Sequence, residues 1–207
     1  MIKILDCTLR DGGYINDWNF GNSNIKKIIS ELTKGGIELI ECGFLEDTEY
    51  NKDRSFFSDV SQIEELLPAK RGNSEYIAMT RLGKMNIANL KNFDGKSISG
   101  IRVTFHVEEV EEGIRYCKMV KDKGYKVFVQ PVGTTSYSDE SLIALIKMVN
   151  QLSPYAFYIV DNLGIMIKKD IHRFFYLVDN NLNKDICLGF HSHNNLHILP
   201  ISQQILH

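Results

Sequence analysis

The segment Asp6-Cys7-Thr8-Leu9-Arg10-Asp11-Gly12 follows a short apolar run at the start of the chain, and Gly189-Phe190-His191-Ser192-His193-Asn194-Asn195 follows another near its end. An Asp at one strand end and two His at spacing i, i+2 on another offer one hard oxygen and two imidazole nitrogens, the donor set of a divalent-metal site. Residues two apart on a strand share a face, so His191 and His193 address one side while Ser192 turns away. The two segments lie at opposite ends of the sequence. An ion shared by Asp11, His191 and His193 therefore requires a fold that curls back on itself.

Between them, short β-rich runs alternate with amphipathic stretches, which predicts βα units. Strands are predicted at 3–6, 39–42, 76–80, 101–105, 127–130, 157–160 and 187–190. Helices are predicted from apolar positions at i, i+3, i+4, i+7: Ile25, Ile28, Ile29 and Leu32; Leu142, Leu145, Ile146 and Val149; Ile171, Phe174, Phe175 and Val178. Gly35-Gly36 and Gly124 read as helix stops and Ser138 as an N-cap. Glu108-Glu109 and Glu111-Glu112 open a further helix with apolar Val110, Ile114 and Cys117; their charges suit a helix N-terminus and a solvated face rather than a calcium site. Such an alternation leaves two parallel architectures, an open doubly wound sheet or a (β/α)8 barrel. A barrel brings the C-terminal ends of its first and seventh strands to one mouth, so the metal reading selects it. No Gly-x-Gly-x-x-Gly follows the first strand and no complete P-loop pattern is present, which withdraws the usual support for nucleotide binding.

The chain has 207 residues, a formal charge of -2, 43% hydrophobic and 24% charged residues, the profile of a single globular domain. This charge balance gives no electrostatic case for nucleic acid or a membrane as partner. The opening Met1-Ile2-Lys3-Ile4-Leu5-Asp6 is too short in apolar residues for a signal, and no run approaches about 18 apolar residues, so a cytoplasmic location is expected. Cys7, Cys42, Cys117 and Cys187 show no CxxC spacing, and three of them sit in apolar strand-like runs and read as small buried hydrophobes, with disulfides not expected. His106, His172, His197 and His207 stand outside any such constellation.

Four motifs in order, Thr8-Leu9-Arg10-Asp11-Gly12, Ile40-Glu41-Cys42-Gly43-Phe44, Asp161-Asn162-Leu163-Gly164 and His191-Ser192-His193-Asn194-Asn195-Leu196, resemble the metal-dependent aldolase, lyase and acyltransferase barrels with the HMG-CoA-lyase-like or pyruvate carboxyltransferase domain, including the 4-hydroxy-2-oxovalerate aldolase-like proteins. The resemblance implies an α/β (β/α)8 TIM barrel holding Mn2+ or Mg2+, or else Zn2+ or Co2+, on Asp11, His191 and His193. It also implies that Arg10 stabilises the enolate oxygen of a 2-oxo acid or thioester, a guanidinium and a cation facing one developing charge. The pattern departs from the family where its branches differ. The aldolase branch places a basic His four residues after the Arg, and the synthase branch places Glu and Gln at the third and fourth positions. Here Gly13 and Tyr14 stand there, leaving Tyr14 or a water on the ion as the proton carrier.

Such barrels need about 250 residues. This chain stops eleven residues after Leu196, so the single catalytic domain, residues 1–207, is expected to be truncated before the eighth strand, with edges at its first and seventh strands. A shortened gene product, completion by a partner or loss of activity would each account for that.

Each site residue also has an ordinary reading. Asp11 could be a turn residue before Gly12-Gly13, and Arg10 a salt-bridge partner of Glu41 or Asp6. Glu41, expected at the same mouth, either orients Arg10 or is a buried structural carboxylate. Asp161 is an acceptor for a ligand His or a helix cap, and Asn194 a ligand contact or a cap. Arg102, Gln130 and Thr134 are placed along the substrate end. The expected activity is a metal-dependent aldolase or lyase forming or cleaving a carbon–carbon bond beside a pyruvate-type enolate, with a small 2-oxo acid as partner and homo-oligomerisation open. The alternatives are a Claisen-type acyltransferase using acetyl-CoA and a 2-oxo acid, as in isopropylmalate and citramalate synthases, or an inactive barrel serving as a binding module.

Overall fold

Strand β1 (Leu5–Asp6) leads into a four-residue helix, α1 (Thr8–Asp11), and a 3-10 turn at Gly12–Ile15. There follow α2 (Asn22–Lys34), β2 (Leu39–Leu45), β3 (Phe56–Phe57), α3 (Val60–Glu64), β4 (Glu75–Arg81), β5 (Gly100–Phe105), α4 (Val110–Asp122), β6 (Lys126–Pro131), α5 (Asp139–Leu152), β7 (Ala156–Asp161), α6 (Lys168–Asn181) and β8 (Cys187–Ser192). This is a computed structural model, and it describes residues 2–193. All seven predicted strands are present, and the helices fall on the predicted stripes. The addition is β3, whose two residues are too short to carry a periodic signal.

The chain divides into two compact units, Met1–Arg102 with Met119–Lys126 and Val103–Lys118 with Val127–His207. In the first, β2 pairs in parallel with β1 (Leu5↔Leu39) and with β4 (Leu39↔Glu75). The β2–β4 register shifts between Glu41 and Phe44, and β3 joins β2 through Phe44↔Phe56. Gly43 makes this possible. At φ +146° it occupies backbone space that side chains avoid, and a Cβ there would stand 2.1 Å from the Ser55 carbonyl oxygen. Every residue of β2 is buried, Ile25 and Ile29 of α2 are fully buried, and Lys34 ends α2 with Gly35 as its cap.

In the second unit β7 pairs in parallel with β6 (Phe128↔Ala156) and with β8 along its whole length, from Ala156↔Cys187 to Asp161↔Ser192. Its core is filled by Phe128, Phe157, Leu145, Ile146, Val149 and Phe174. Ser138 caps α5, its hydroxyl accepting the Ser141 N–H at 3.2 Å. Strands buried on both faces read as near-continuous apolar runs, the signature of parallel sheet covered by helices. Cys42 and Cys117 are buried, Cys7 is half-buried and Cys187 is exposed, all four as free thiols. No helix among the described residues is long and apolar enough to cross a membrane.

Candidate active site

In the first unit the site begins with Asp6, which takes no part in pairing with Arg10. Its carboxylate accepts the Thr8 N–H and hydroxyl, both at 3.0 Å, and so starts the short helix that carries Arg10 and Asp11. Arg10 is 4% exposed. Its Nε donates to Glu41 Oε2 at 2.7 Å and its Nη1 to Asp11 Oδ1 at 2.6 Å. Its Nη2 is buried and, among the described residues, meets no hydrogen-bond partner.

Glu41 is fully buried beneath it and is shared with Arg102, whose Nη1 reaches Oε1 at 3.2 Å and Oε2 at 3.3 Å. The same Nη1 approaches Cys7 Sγ at 3.3 Å. Burial alone would push the Glu41 carboxyl up, but Arg102 and Arg10 outweigh it and hold the group well below the carboxylate range. For Arg10, burial opposes the charge and Glu41 restores it, so the guanidinium stays firmly protonated. The Cys7 thiol is pushed up to about 12, first by burial and then by Glu41, which makes it a neutral wall rather than a nucleophile. Buried ions are tolerated when paired and hydrogen-bonded, and this cluster pairs both guanidiniums with one carboxylate, Arg10 Nη2 being left over.

Tyr14 stands apart from the buried cluster. It lies in the 3-10 turn, 65% exposed, with its ring edge-on to Trp18 at 4.8 Å.

In the second unit β8 delivers His191 opposite Val160, and His193 follows just past the strand. The two imidazole centroids are 4.9 Å apart at 80°, so both rings can serve one small ion. His193 Nδ1 lies 2.8 Å from the main-chain oxygen of Asp161. A carbonyl only accepts, so Nδ1 is the donor in this contact and Nε2 is the nitrogen by which the ring would meet an ion, the arrangement typical of a ligand His. The Asp161 carboxylate is used elsewhere: it accepts the Ile165 and Met166 N–H groups at 3.0 and 3.1 Å and shapes the loop after β7. The Asp161 contact to His193 thus comes from its main chain.

Thr134 is buried, its hydroxyl accepting the Val160 N–H at 2.9 Å. Gln130 is buried at the end of β6 with an Oε1 that meets no partner among the described residues. Asn194 lies outside the described residues.

Sequence reasoning did not single out Trp18 and Ser55. The Trp18 indole N–H donates to the Arg10 carbonyl at 2.6 Å, and the Ser55 hydroxyl to the Leu9 carbonyl at 2.6 Å. Trp18 is the chain's one tryptophan, close after Gly12-Gly13, which is the signal that was available.

Parallel strands alternating with helices, with an Arg-Asp turn after the first strand and a His pair on the last, form a pattern that the chain shares with a known α/β family. The HMGL-like family model matches residues 1–198, and the chain belongs to that family. It is 24% identical over 201 residues to an oxaloacetate decarboxylase of Mycobacterium tuberculosis, covering 93% of this chain and 57% of that protein. It is 25% identical over 198 residues to a 4-hydroxy-2-oxovalerate aldolase of Geobacillus genomosp. 3, covering 94% and 58%. The chain therefore spans little more than half the length of these curated relatives. Among solved structures, the HMG-CoA lyase of Bacillus subtilis shares its fold, with a TM-score of 0.74 at 11% identity over 100% of this chain and 72% of that one.

Proposed function

We propose that the chain is the catalytic domain, residues 1–207, of a divalent-metal-dependent aldolase or lyase acting on a short 2-oxo acid. The observation that carries this reading is Arg10: a buried guanidinium whose Nε and Nη1 are engaged by Glu41 and Asp11 and whose Nη2 meets no hydrogen-bond partner among the described residues. An unpaired buried donor is costly, so a ligand oxygen that meets it gains nearly the full strength of a charge-assisted hydrogen bond. The names of both curated relatives, one for oxaloacetate and one for 4-hydroxy-2-oxovalerate, support a 2-oxo acid as substrate.

The residues present fit a divalent ion. Asp11, His191 and His193 would hold it, one carboxylate and two imidazoles supplying a mixed oxygen and nitrogen donor set, and the Asp161 carbonyl at His193 Nδ1 would leave Nε2 to the ion. The ion, Mn2+ or Mg2+ in preference to Zn2+ or Co2+, would act as a Lewis acid toward the carboxylate and carbonyl oxygens of the keto acid.

The protein's own residues do the rest. In cleavage of a 4-hydroxy-2-oxo acid, the 4-hydroxyl loses its proton and becomes the aldehyde. The C3–C4 bond breaks, and its electron pair passes through C2–C3 onto the C2 oxygen. Arg10 Nη2 donates to that oxygen as its charge develops, while Glu41, itself fixed by Arg102, keeps the guanidinium in place. Proton transfer to and from the substrate falls to Tyr14 or to water beside it. Gln130 Oε1, buried and without a partner among the described residues, would be a substrate contact, whereas the Thr134 hydroxyl and the Asp161 carboxylate are committed to backbone N–H groups.

The test is deuterium incorporation into the methyl group of pyruvate, followed by NMR in D2O with Mn2+ or Mg2+ and a His191→Ala control. Exchange that requires both metal and His191 supports enolate chemistry. Absence of exchange from folded, metal-loaded protein would remove pyruvate-type enolate formation as the activity.

A further inference from the structure

Helix α1 has only four residues, too few to persist on its own. A helix leaves its last carbonyls without partners, and here three of them are met in turn. The Thr8 carbonyl takes the Gly12 N–H. The Leu9 carbonyl takes the Ser55 hydroxyl, and the Arg10 carbonyl takes the Trp18 indole N–H, both at 2.6 Å.

The two donors are themselves tied together. Ser55 N–H donates to the Trp18 carbonyl at 3.1 Å, and the Ser55 carbonyl accepts the Phe44 N–H at 3.0 Å. Arg54 holds the preceding residue, its Nε on the Asp17 carbonyl and its Nη2 on the Asp17 carboxylate, both at 3.0 Å.

This arrangement is strained. Asp17 and Trp18 are consecutive non-glycine residues with φ of 52° and 56°, a conformation side chains avoid and which persists only where the surroundings enforce it. Its product is an indole lying flat on Gly13, where a Cβ would stand 2.0 Å from Trp18 Cδ1. The indole edge meets Phe56 and Phe44 at ring distances of 4.8 and 5.7 Å. Backbone strain, a glycine contact and two short hydrogen bonds converge on the two residues whose carbonyls flank the Arg10 side chain.

We propose that Trp18 and Ser55 form a clamp that positions Arg10 for catalysis. Trp18 and Ser55 are positioning residues that touch no substrate: they fix the α1 backbone, so that the guanidinium reaches the enolate oxygen without reorganising. The inference rests on the assignment of Arg10 as the oxyanion donor.

Trp18→Phe keeps the aromatic packing and removes the N–H; Ser55→Ala removes the hydroxyl. In the pyruvate exchange assay each variant is expected to lower kcat about tenfold, since sub-ångström displacement of a catalytic group costs rate, while KM for pyruvate stays within about twofold. Equal kcat in the variants and the parent would overturn the clamp, as would a loss confined to KM.

A second measurement does not depend on turnover. The Arg10 Nε–H, bonded to Glu41, gives an NMR resonance assignable by its disappearance in Arg10→Lys. In Trp18→Phe and Ser55→Ala that proton is expected to shift and to exchange with solvent faster. An unchanged resonance in a folded variant rejects the clamp even if the parent shows no pyruvate exchange, the outcome that would reject the functional reading alone. If Trp18→Phe does not fold, Ser55→Ala carries both measurements.

Discussion

Arg10 Nε and Glu41 Oε2 are 2.7 Å apart, with both side chains almost completely withdrawn from solvent. Glu41 also carries Arg102, so one buried carboxylate is shared by two guanidiniums in the first unit. Removing its charge takes a buried counter-ion from each of them.

Glu41→Gln is therefore expected to destabilise the fold by about 3–5 kcal/mol, the range for breaking a buried ion pair. The parent should also show an acid limb that the variant lacks. Glu41 titrates near 2 in the folded state against an ordinary 4.5, so its contribution is fully present above pH 4.5 and is lost as pH falls toward 2. The loss over that window is on the order of 3 kcal/mol. Urea midpoints measured at several pH values should fall steeply for the parent below pH 4.5 and less steeply for Glu41→Gln. Parallel curves would show that Glu41 is not the group responsible.

His193 offers a second test, because the Asp161 carbonyl at its Nδ1 commits Nε2 to any ion. His193→Ala and His191→Ala should each weaken Mn2+ binding by calorimetry at least as much as the loss of an outer partner does, about 10–100-fold. Asp161→Asn acts differently. Its main-chain oxygen is kept, so it should unsettle the loop at Ile165 and Met166 while leaving metal affinity nearly intact. An Asp161→Asn variant that loses metal as fully as His193→Ala would contradict this division of labour.

Seven strands and the helical stripes were legible in the sequence because burial imposes a period on each, as with Leu142, Leu145, Ile146 and Val149, all buried in α5. Arg10, Glu41 and the His pair stood out as candidates, since charged and metal-type residues at or just after strand ends contrast with apolar runs, and the Arg10–Glu41 ion pair is the ordinary reading that the sequence also offered. What was not legible depends on contacts between atoms far apart in sequence or on the main chain. Ser55 acts through a hydroxyl on the Leu9 carbonyl, and Asp161 meets His193 through its backbone oxygen. Neither role is encoded in side-chain type. Strand β3 escaped notice for a related reason: it exists because Gly43 admits the Ser55 carbonyl, a steric condition rather than a pattern.

Gly189 lies two residues before His191 on β8, and a Cβ there would stand 2.3 Å from Tyr158 Cε1. Gly189→Ala should cost about 1–3 kcal/mol through overpacking and shift the strand that carries His191. Because the obstacle is a side chain, Tyr158→Ala in the same chain should recover part of the loss, giving a coupling energy between the two sites. Thermal melts of the two single variants and the double variant measure it. Simple additivity would mean that the ring is not what Gly189 accommodates.

Gly43→Ala should be worse, and for a different reason. The atom in its way is the Ser55 carbonyl oxygen, 2.1 Å from the new Cβ, and main chain cannot rotate aside as a ring can. The backbone at φ +146° adds strain of its own, so a loss on the order of 3 kcal/mol or more is expected. Relief comes only by moving the Ser55 backbone, which breaks its bond to Phe44 N–H and draws its hydroxyl from the Leu9 carbonyl. The functional loss in Gly43→Ala should therefore resemble that of Ser55→Ala, with kcat falling more than KM, on top of a lowered urea midpoint at unchanged slope. A stability loss with kcat preserved would show that β3 can separate from β2 without disturbing the turn that carries Arg10.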